Sequence, residues 1–324
     1  MKRKTTSLNA ALVAIAVAAL ILCGCARRGK TASEEPLTRP FPTISIPTVY
    51  SSPAERLSYT LDHYWDEFFK VKGLTDSTHV LGVRKDETET SLATFIKILD
   101  MVPLEEAQKA VAKMFGSISA QRQLDDSGTV WLVMTQMVSR YLYDPNSPVR
   151  NEDYYLPFVK LLAESPFTAE DMRPAFRYEL SGCEICRKGT VAPDFRIRNI
   201  RGREFTLHSV KAGYTMLFFS NPGCQACKGI IDEVQSSVKI REMISSGRLA
   251  VVNVYIDQDL KAWREYESNY PSSWKTGYDP VFAIRGERLY NVRAIPSLYL
   301  LDEEKRIIFK DAPTEKVIEF LEKL

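Results

Sequence analysis

The sequence predicts two folded parts of different class: an α-helical domain, then an α/β domain with a central mixed sheet flanked by helices. Three observations carry that expectation. From Ser52 to about residue 181, apolar residues recur at three- and four-residue steps, the spacing of one helix face. After Gly189 the texture changes to short β-rich runs alternating with helical stretches. The length, 324 residues with 45% hydrophobic and 26% charged, allows about two ordinary domains and excludes a disordered, collagen-like or multi-span membrane chain.

The N-terminus reads as a secretion signal over residues 1–24. Lys2-Arg3-Lys4 is a basic start, and Ala10 to Leu22 is an uncharged apolar run, shorter than the roughly 20 residues a comfortable bilayer span needs. A buried helix or a membrane anchor is the alternative. Without this segment the chain keeps 40 basic and 41 acidic side chains, so no strong field recruits nucleic acid. Leu22-Cys23-Gly24-Cys25 resembles the bacterial lipobox, which implies that Cys25 is lipidated and becomes the first mature residue. The resemblance implies a protein held in the bacterial cell envelope by lipid alone. Ala26-Arg27-Arg28-Gly29 carries no acidic cluster of the surface-export kind, which favours the periplasmic side. Residues 25–50, with Pro at 36, 40, 42 and 47, read as an extended flexible tether.

The helical domain spans 51–181. Ser52-Pro53-Ala54-Glu55 looks like a helix entrance, and Leu57, Leu61, Tyr64, Trp65 and Phe68 follow at helical spacing. Leu92 to Leu99, Ala107 to Met114, Val130 to Tyr143, Tyr154 to Ala163 and Met172 to Tyr178 bring the expectation to about six helices. Its aromatic residues read most simply as core packing. A connector, 182–188, leads into the α/β domain at 189–324. There Phe195–Ile200 and Glu204–Leu207 flank a hairpin-like turn, and Thr215–Ser220 and Leu249–Ile256 are apolar runs suited to buried strands. Helices are expected at 228–243, 260–267 and 314–324, and a hairpin at 297–301 and 306–310.

With Cys23 discarded and Cys25 lipidated, four cysteines remain, as two C-x-x-C pairs. That is too few for a disulfide scaffold and points to chemistry, in a compartment where disulfides persist. Cys224-Gln225-Ala226-Cys227 lies where a buried strand gives way to a helix. A thiol at a helix N-terminus faces unpaired N–H groups and the positive end of the helix dipole, which stabilises its thiolate. Cys224 is therefore the expected nucleophile and Cys227, one turn on, the resolving thiol.

The stretch FFSNPGCQACK, with Arg293-Ala294-Ile295-Pro296-Ser297 about 70 residues later, resembles the thioredoxin fold. The resemblance implies that Pro296 is cis and stands against the active disulfide. It also implies that Ile295, Gln225 and Ala226 meet substrate. Gly189-x-x-Ala192-Pro193-Asp194-Phe195 resembles the start of exported thioredoxin-like reductases and peroxiredoxins. The whole chain, with Tyr143-Asp144-Pro145-Asn146-Ser147-Pro148, Arg150-Asn151-Glu152 and Tyr299-Leu300-Leu301-Asp302, looks like bacterial lipoproteins that join a helical domain of unknown function to a thioredoxin-like domain.

Departures from the thioredoxin pattern are specific. Gly223 stands where a Trp is usual, and Phe218 replaces the buried acid that assists the second thiol. Asp257, at the end of the LAVVNVYI strand, is a weak substitute, and Lys228 could favour the thiolate or be a solvated helix lysine. The second pair, Cys183 and Cys186, has three open readings: a local disulfide, a redox partner of Cys224–Cys227, or thiols that stay reduced. Zinc held by all four cysteines is disfavoured by the 37-residue gap between pairs, and His63, His79 and His208 lie in no ligand spacing.

The expected function is thiol–disulfide exchange with protein substrates, more as a reductase fed from the membrane side, with no metal or organic cofactor. The alternative is a redox-gated or non-catalytic adaptor that binds through its helical domain. A peroxidase is disfavoured because Pro-x-x-x-Thr-x-x-Cys is absent around Cys224.

Overall fold

The computed structural model describes residues 38–324. The expected signal segment, Cys25 and the first part of the tether lie outside the described residues. The rest of the tether, 38–50, forms no helix or strand yet is seated on the helical part. Arg39 donates through Nη2 to the Phe68 carbonyl at 2.7 Å, and the Phe41 ring stacks on Phe68 with centroids 5.4 Å apart. Phe41 and Ile44 pack against the helical core, and burying apolar surface there outweighs the freedom of a loose linker.

The helical part contains α1 (Pro53–His63), α2 (Asp66–Phe69), α3 (Lys85–Leu99), α4 (Leu104–Leu124), α5 (Thr129–Leu142), α6 (Glu152–Glu164) and α7 (Arg173–Glu184). Ser52 caps α1 through a capping box with Glu55. A two-residue hairpin, β1 (His79–Val80) with β2 (Val83–Arg84), interrupts the helices and was too short to leave a periodic signal. Pro157 lies inside α6 and has no N–H for the Asp153 carbonyl four residues back; Gln108 Nε2 of α4 donates to that carbonyl instead, at 2.7 Å. One apolar core, from Leu61 through Leu162, fills the space between these helices.

The α/β part contains β3 (Arg196–Arg198), β4 (Glu204–Thr206), β5 (Tyr214–Phe219), α8 (Gln225–Ser236), α9 (Val238–Ser245), β6 (Leu249–Tyr255), α10 (Leu260–Tyr266), β7 (Lys275–Tyr278), α11 (Ala283–Gly286), β8 (Ser297–Leu301), β9 (Ile307–Phe309) and α12 (Thr314–Glu322). The sheet order is β4-β3-β7-β6-β5-β8-β9. Strands β5, β6 and β7 run parallel, and β3, β8 and β9 join antiparallel, so the sheet is mixed. The sequence reading missed β7 and α11. Strand β7 carries Gly277, where a Cβ would stand 2.8 Å from the Arg198 carbonyl oxygen, so close approach to β3 displaced the usual β-branched signal. The helix expected over 228–243 is broken at Ser237, which ends α8 and caps α9 through its side chain. Separate apolar cores cover the two sheet faces.

Candidate functional site

The site begins where β5 ends. Asn221-Pro222-Gly223 turns the chain out of the sheet, with the Cys224 N–H donating to the Asn221 carbonyl at 3.3 Å. Gly223 has φ +71°, a conformation that side-chain-bearing residues adopt at a cost, which explains a glycine where a tryptophan is usual. Cys224 is the N-cap residue of α8, and its sulfur accepts from the Cys227 N–H at 3.1 Å. The two cysteines form a disulfide with Cα atoms 5.2 Å apart. Cys224 is half-buried, Cys227 is 2% exposed, and Gln225 and Ala226 between them are exposed. An incoming sulfur therefore reaches Cys224 first.

The antiparallel register of β5 and β8 pairs Phe219 with Ser297. That pairing places residue 296 at the end of β5 from which the Cys224 turn departs. The Ile295–Pro296 peptide is cis. Ile295 packs against the core that contains Cys227, so the loop before β8 and the first turn of α8 share one apolar neighbourhood.

Phe218 is fully buried in that same core. Beside it in register on β6 stands Asn253, also fully buried, and Ser220 Oγ donates to Asn253 Oδ1 at 2.6 Å and lies 3.1 Å from the Tyr270 hydroxyl. This polar cluster was missed by sequence reasoning; the signal available was an Asn in the middle of an otherwise apolar strand. Burial raises the Tyr270 pKa above its usual value, opposed by the hydrogen bond with Ser220. Asp257 is engaged elsewhere: it accepts from Asn221 Nδ2 at 2.7 Å and pairs with Arg285 Nε at 2.8 Å, tying the turn before Cys224 to the end of β6. Lys228 forms an exposed ion pair with Asp232 one turn on.

The second C-x-x-C is placed differently. Cys183 and Cys186 are both free and buried. Cys183 lies in the last turn of α7 and joins the helical core, whereas Cys186 follows the helix end with φ +55° and joins a core of the sheet. Of the three readings open for this pair, the local disulfide is not formed: the helix end turns the two side chains into different cores. Burial pushes the Cys186 thiol up to about 12 and raises Cys183 as well.

His63 bonds to Asp66, His79 to Thr78, and His208 to the Ala192 carbonyl. Among the described residues, no group of three or more His, Cys, Asp or Glu side chains is placed to hold a metal, and no helix is long and apolar enough to cross a membrane.

The mixed sheet with helices on both sides and a helix-capping C-x-x-C, with a cis proline leading into β8 at the same end of β5, define a thioredoxin-like fold of the thiol–disulfide oxidoreductase type. A solved structure that spans most of this chain agrees. A thioredoxin-like protein from Bacteroides caccae is 33% identical over 88% of this chain and 99% of its own, with a TM-score of 0.75. The C-terminal domain of an uncharacterized protein from Bacteroides fragilis is 37% identical over 42% of this chain and 98% of its own, with a TM-score of 0.41. A domain of a possible thiol-disulfide isomerase from Cytophaga hutchinsonii is 24% identical over 43% and 94%, with a TM-score of 0.37. Residues 22–181 match a family described as a domain of unknown function, DUF5106. No curated protein matches. The chain belongs to the thioredoxin-like proteins, and its N-terminal part carries the DUF5106 domain.

Proposed function

We propose that this protein is a thiol–disulfide oxidoreductase that reduces disulfides in other proteins of the bacterial envelope. The observation that carries the reading is the Cys224–Cys227 disulfide at the N-terminus of α8, with Ile295 packed against the core that holds Cys227. In the reduced protein, the N–H that now faces Cys224 Sγ and the dipole of the 12-residue helix α8 favour the Cys224 thiolate.

The exchange proceeds in two steps. The Cys224 thiolate attacks one sulfur of a substrate disulfide, forming a mixed disulfide and releasing the other substrate sulfur as a thiolate. Cys227 then loses its proton and attacks Cys224 Sγ, which releases the second substrate sulfur and closes Cys224–Cys227. The substrate gains two electrons and two protons; the protein is oxidised by two electrons and requires a dithiol donor on the membrane side to reset it. Ile295, Pro296, Gln225 and Ala226 form the surface on which the substrate chain rests. The lipobox resemblance at Leu22–Cys25 supports a lipid anchor at Cys25 and a periplasmic position for the folded part.

The test is a redox titration of the full chain in detergent, read by the mass shift on thiol alkylation, together with reduction of insulin disulfides. The expected result is a reversible Cys224–Cys227 couple near ~−270 mV and insulin reduction abolished by Cys224→Ser. A couple near ~−120 mV reverses the direction to oxidant, and a pair that never forms a reversible disulfide overturns the enzyme.

A further inference from the structure

The Tyr143–Glu152 stretch, between α5 and α6, supplies no residue to the disulfide, yet it carries the most heavily charged buried contact in the described protein. Glu152, the first residue of α6, is 2% exposed. Its Oε1 lies 2.9 Å from Arg293 Nε and its Oε2 lies 2.7 Å from Lys310 Nζ, while Asn291 Nδ2 donates to it at 3.1 Å. Arg293 Nη2 pairs with Asp311 Oδ2 at 2.8 Å, and the guanidinium stands 4.2 Å over the Tyr143 ring. Asp311 Oδ1 accepts from Ser297 Oγ at 2.8 Å. Arg150 donates to the backbone carbonyls of Asp311 and Ala312 at 2.8 and 3.1 Å.

The consequence is geometric. Arg293 and Ser297 bracket Ala294-Ile295-Pro296, and both are fastened to the one carboxylate of Asp311. Arg293 is fastened in addition to a carboxylate from the helical part. Buried ion pairs are often no more stabilising than apolar packing of the same volume, so stability alone gives little reason to build this joint from charges. Arg293 Nη2 makes a directed hydrogen bond to Asp311, whereas Nε meets Glu152 as a close ion pair without hydrogen-bond geometry; the guanidinium is aimed by one carboxylate and held in place by the charge of the other.

We propose that Glu152 is a positioning residue: through Arg293 and Asp311, the helical domain fixes the segment that presents Ile295 and Pro296 to the substrate chain. This rests on the oxidoreductase reading above. It gives the helical domain a role in the reaction without contact with substrate or the reacting sulfurs. It also accounts for the Arg150-Asn151-Glu152 run, whose two charged residues both cross to the α/β part.

The test compares two reactions of the full chain in detergent, for wild type, Glu152→Gln, Glu152→Asp and Ser297→Ala. One is insulin reduction under dithiothreitol, which needs a chain seated on residues 295–296. The other is the reaction of reduced Cys224 with a small aromatic disulfide, which does not. Glu152→Gln is expected to lower kcat/KM for insulin about tenfold, mainly through KM, with the small-disulfide rate within about twofold of wild type. Amide hydrogen exchange over 294–297 should rise in parallel. Ser297→Ala removes one hydrogen bond without unbalancing charge and reports the Asp311 side of the link alone. Glu152→Asp, which keeps the charge but draws the carboxylate back from Arg293, should lower insulin kcat/KM and raise exchange over 294–297 by a smaller factor than Glu152→Gln, and decides the matter if Glu152→Gln does not fold. Unchanged insulin kinetics, or equal loss on both substrates, overturns the positioning role and leaves the enzyme standing. A wild-type protein inert toward insulin overturns both.

Discussion

The buried joint makes a prediction whose size follows from counting its charges. Counted by direct ion pairs, Arg150, Arg293 and Lys310 meet Glu152 and Asp311, three cations on two anions, with the buried Asp153 carboxylate nearby, in a region where the side chains of Lys310, Glu152 and Asp311 are 1%, 2% and 3% exposed. Glu152→Gln keeps the volume but leaves three cations to one anion. Removing one partner of a buried pair costs about 3–5 kcal/mol, because the remaining charge stays desolvated, and Glu152 serves two cations, so the upper half of that range is expected. Lys310→Met leaves two against two. Its cost is the loss of the Nζ donors that close the end of α7, at the carbonyls of Gly182, Cys183 and Ile185, and about 1–3 kcal/mol is expected. The double variant restores the excess of one cation, so it should be less destabilised than the sum of the singles by about 1.5 kcal/mol or more. Urea unfolding followed by near- and far-ultraviolet circular dichroism, on all four proteins at one pH, measures this cycle. If Glu152→Gln costs less than about 1 kcal/mol, or the double variant equals the sum, the charges are screened by water and the fixed geometry argued for Arg293 is refuted.

Two further outcomes follow from burial. The Cys186 thiol, raised to about 12 by desolvation, stays protonated in the folded protein while an unfolded thiol ionises near ~8.5. The unfolded state then binds fewer protons than the folded one, so stability falls as pH rises through that window; between pH 8 and 10.5 the advantage of wild type over Cys186→Ala should shrink by about 2.5 kcal/mol, read from urea midpoints under reductant, and a constant difference would contradict the buried neutral thiol. Phe41→Ala removes a ring that contacts Tyr64, Trp65 and Phe68 from outside the first helix. A loss of about 2 kcal/mol is expected by the same denaturation, whereas an unchanged midpoint would return residues 38–50 to the status of a loose tether.

Most of this architecture was legible because it is local. Apolar spacing of three and four marked the helices, and the uninterrupted apolar runs at 215–220 and 249–256 marked the two parallel strands at the sheet centre. The candidate site was legible for the same reason: a C-x-x-C between a buried strand and a helix carries its chemistry within a few residues, and Arg293–Ser297 is a short pattern of its own. What escaped was set by contacts distant in sequence. Strand β7 carries a glycine because β3 crowds it, so packing erased its β-branched signature. Asn253 lies in an apolar strand because Ser220 and Tyr270 meet it there, and neither partner is near in sequence. Arg150 and Glu152 could be quoted as part of a pattern but not interpreted, since their partners lie some 140 to 160 residues away.

The two C-x-x-C pairs show most directly why spacing is not chemistry. Cys224 precedes a helix, half-exposed, with its sulfur at a backbone N–H and the positive end of the dipole. Cys183 follows three turns of helix, fully buried, near the carbonyl end where a thiolate is disfavoured. The left-handed residue at Cys186 then sends the second sulfur into another core, so a disulfide there would have to unseat one side chain from its packing. The carbonyls of Gly182, Cys183 and Ile185 accept from Lys310, which also holds Glu152. The connector pair therefore belongs to the joint between the helical and α/β parts, where buried neutral thiols pack well. The same joint that buries Cys183 and Cys186 holds Arg293 three residues ahead of Pro296, so the packing around one pair bears on the segment beside the other.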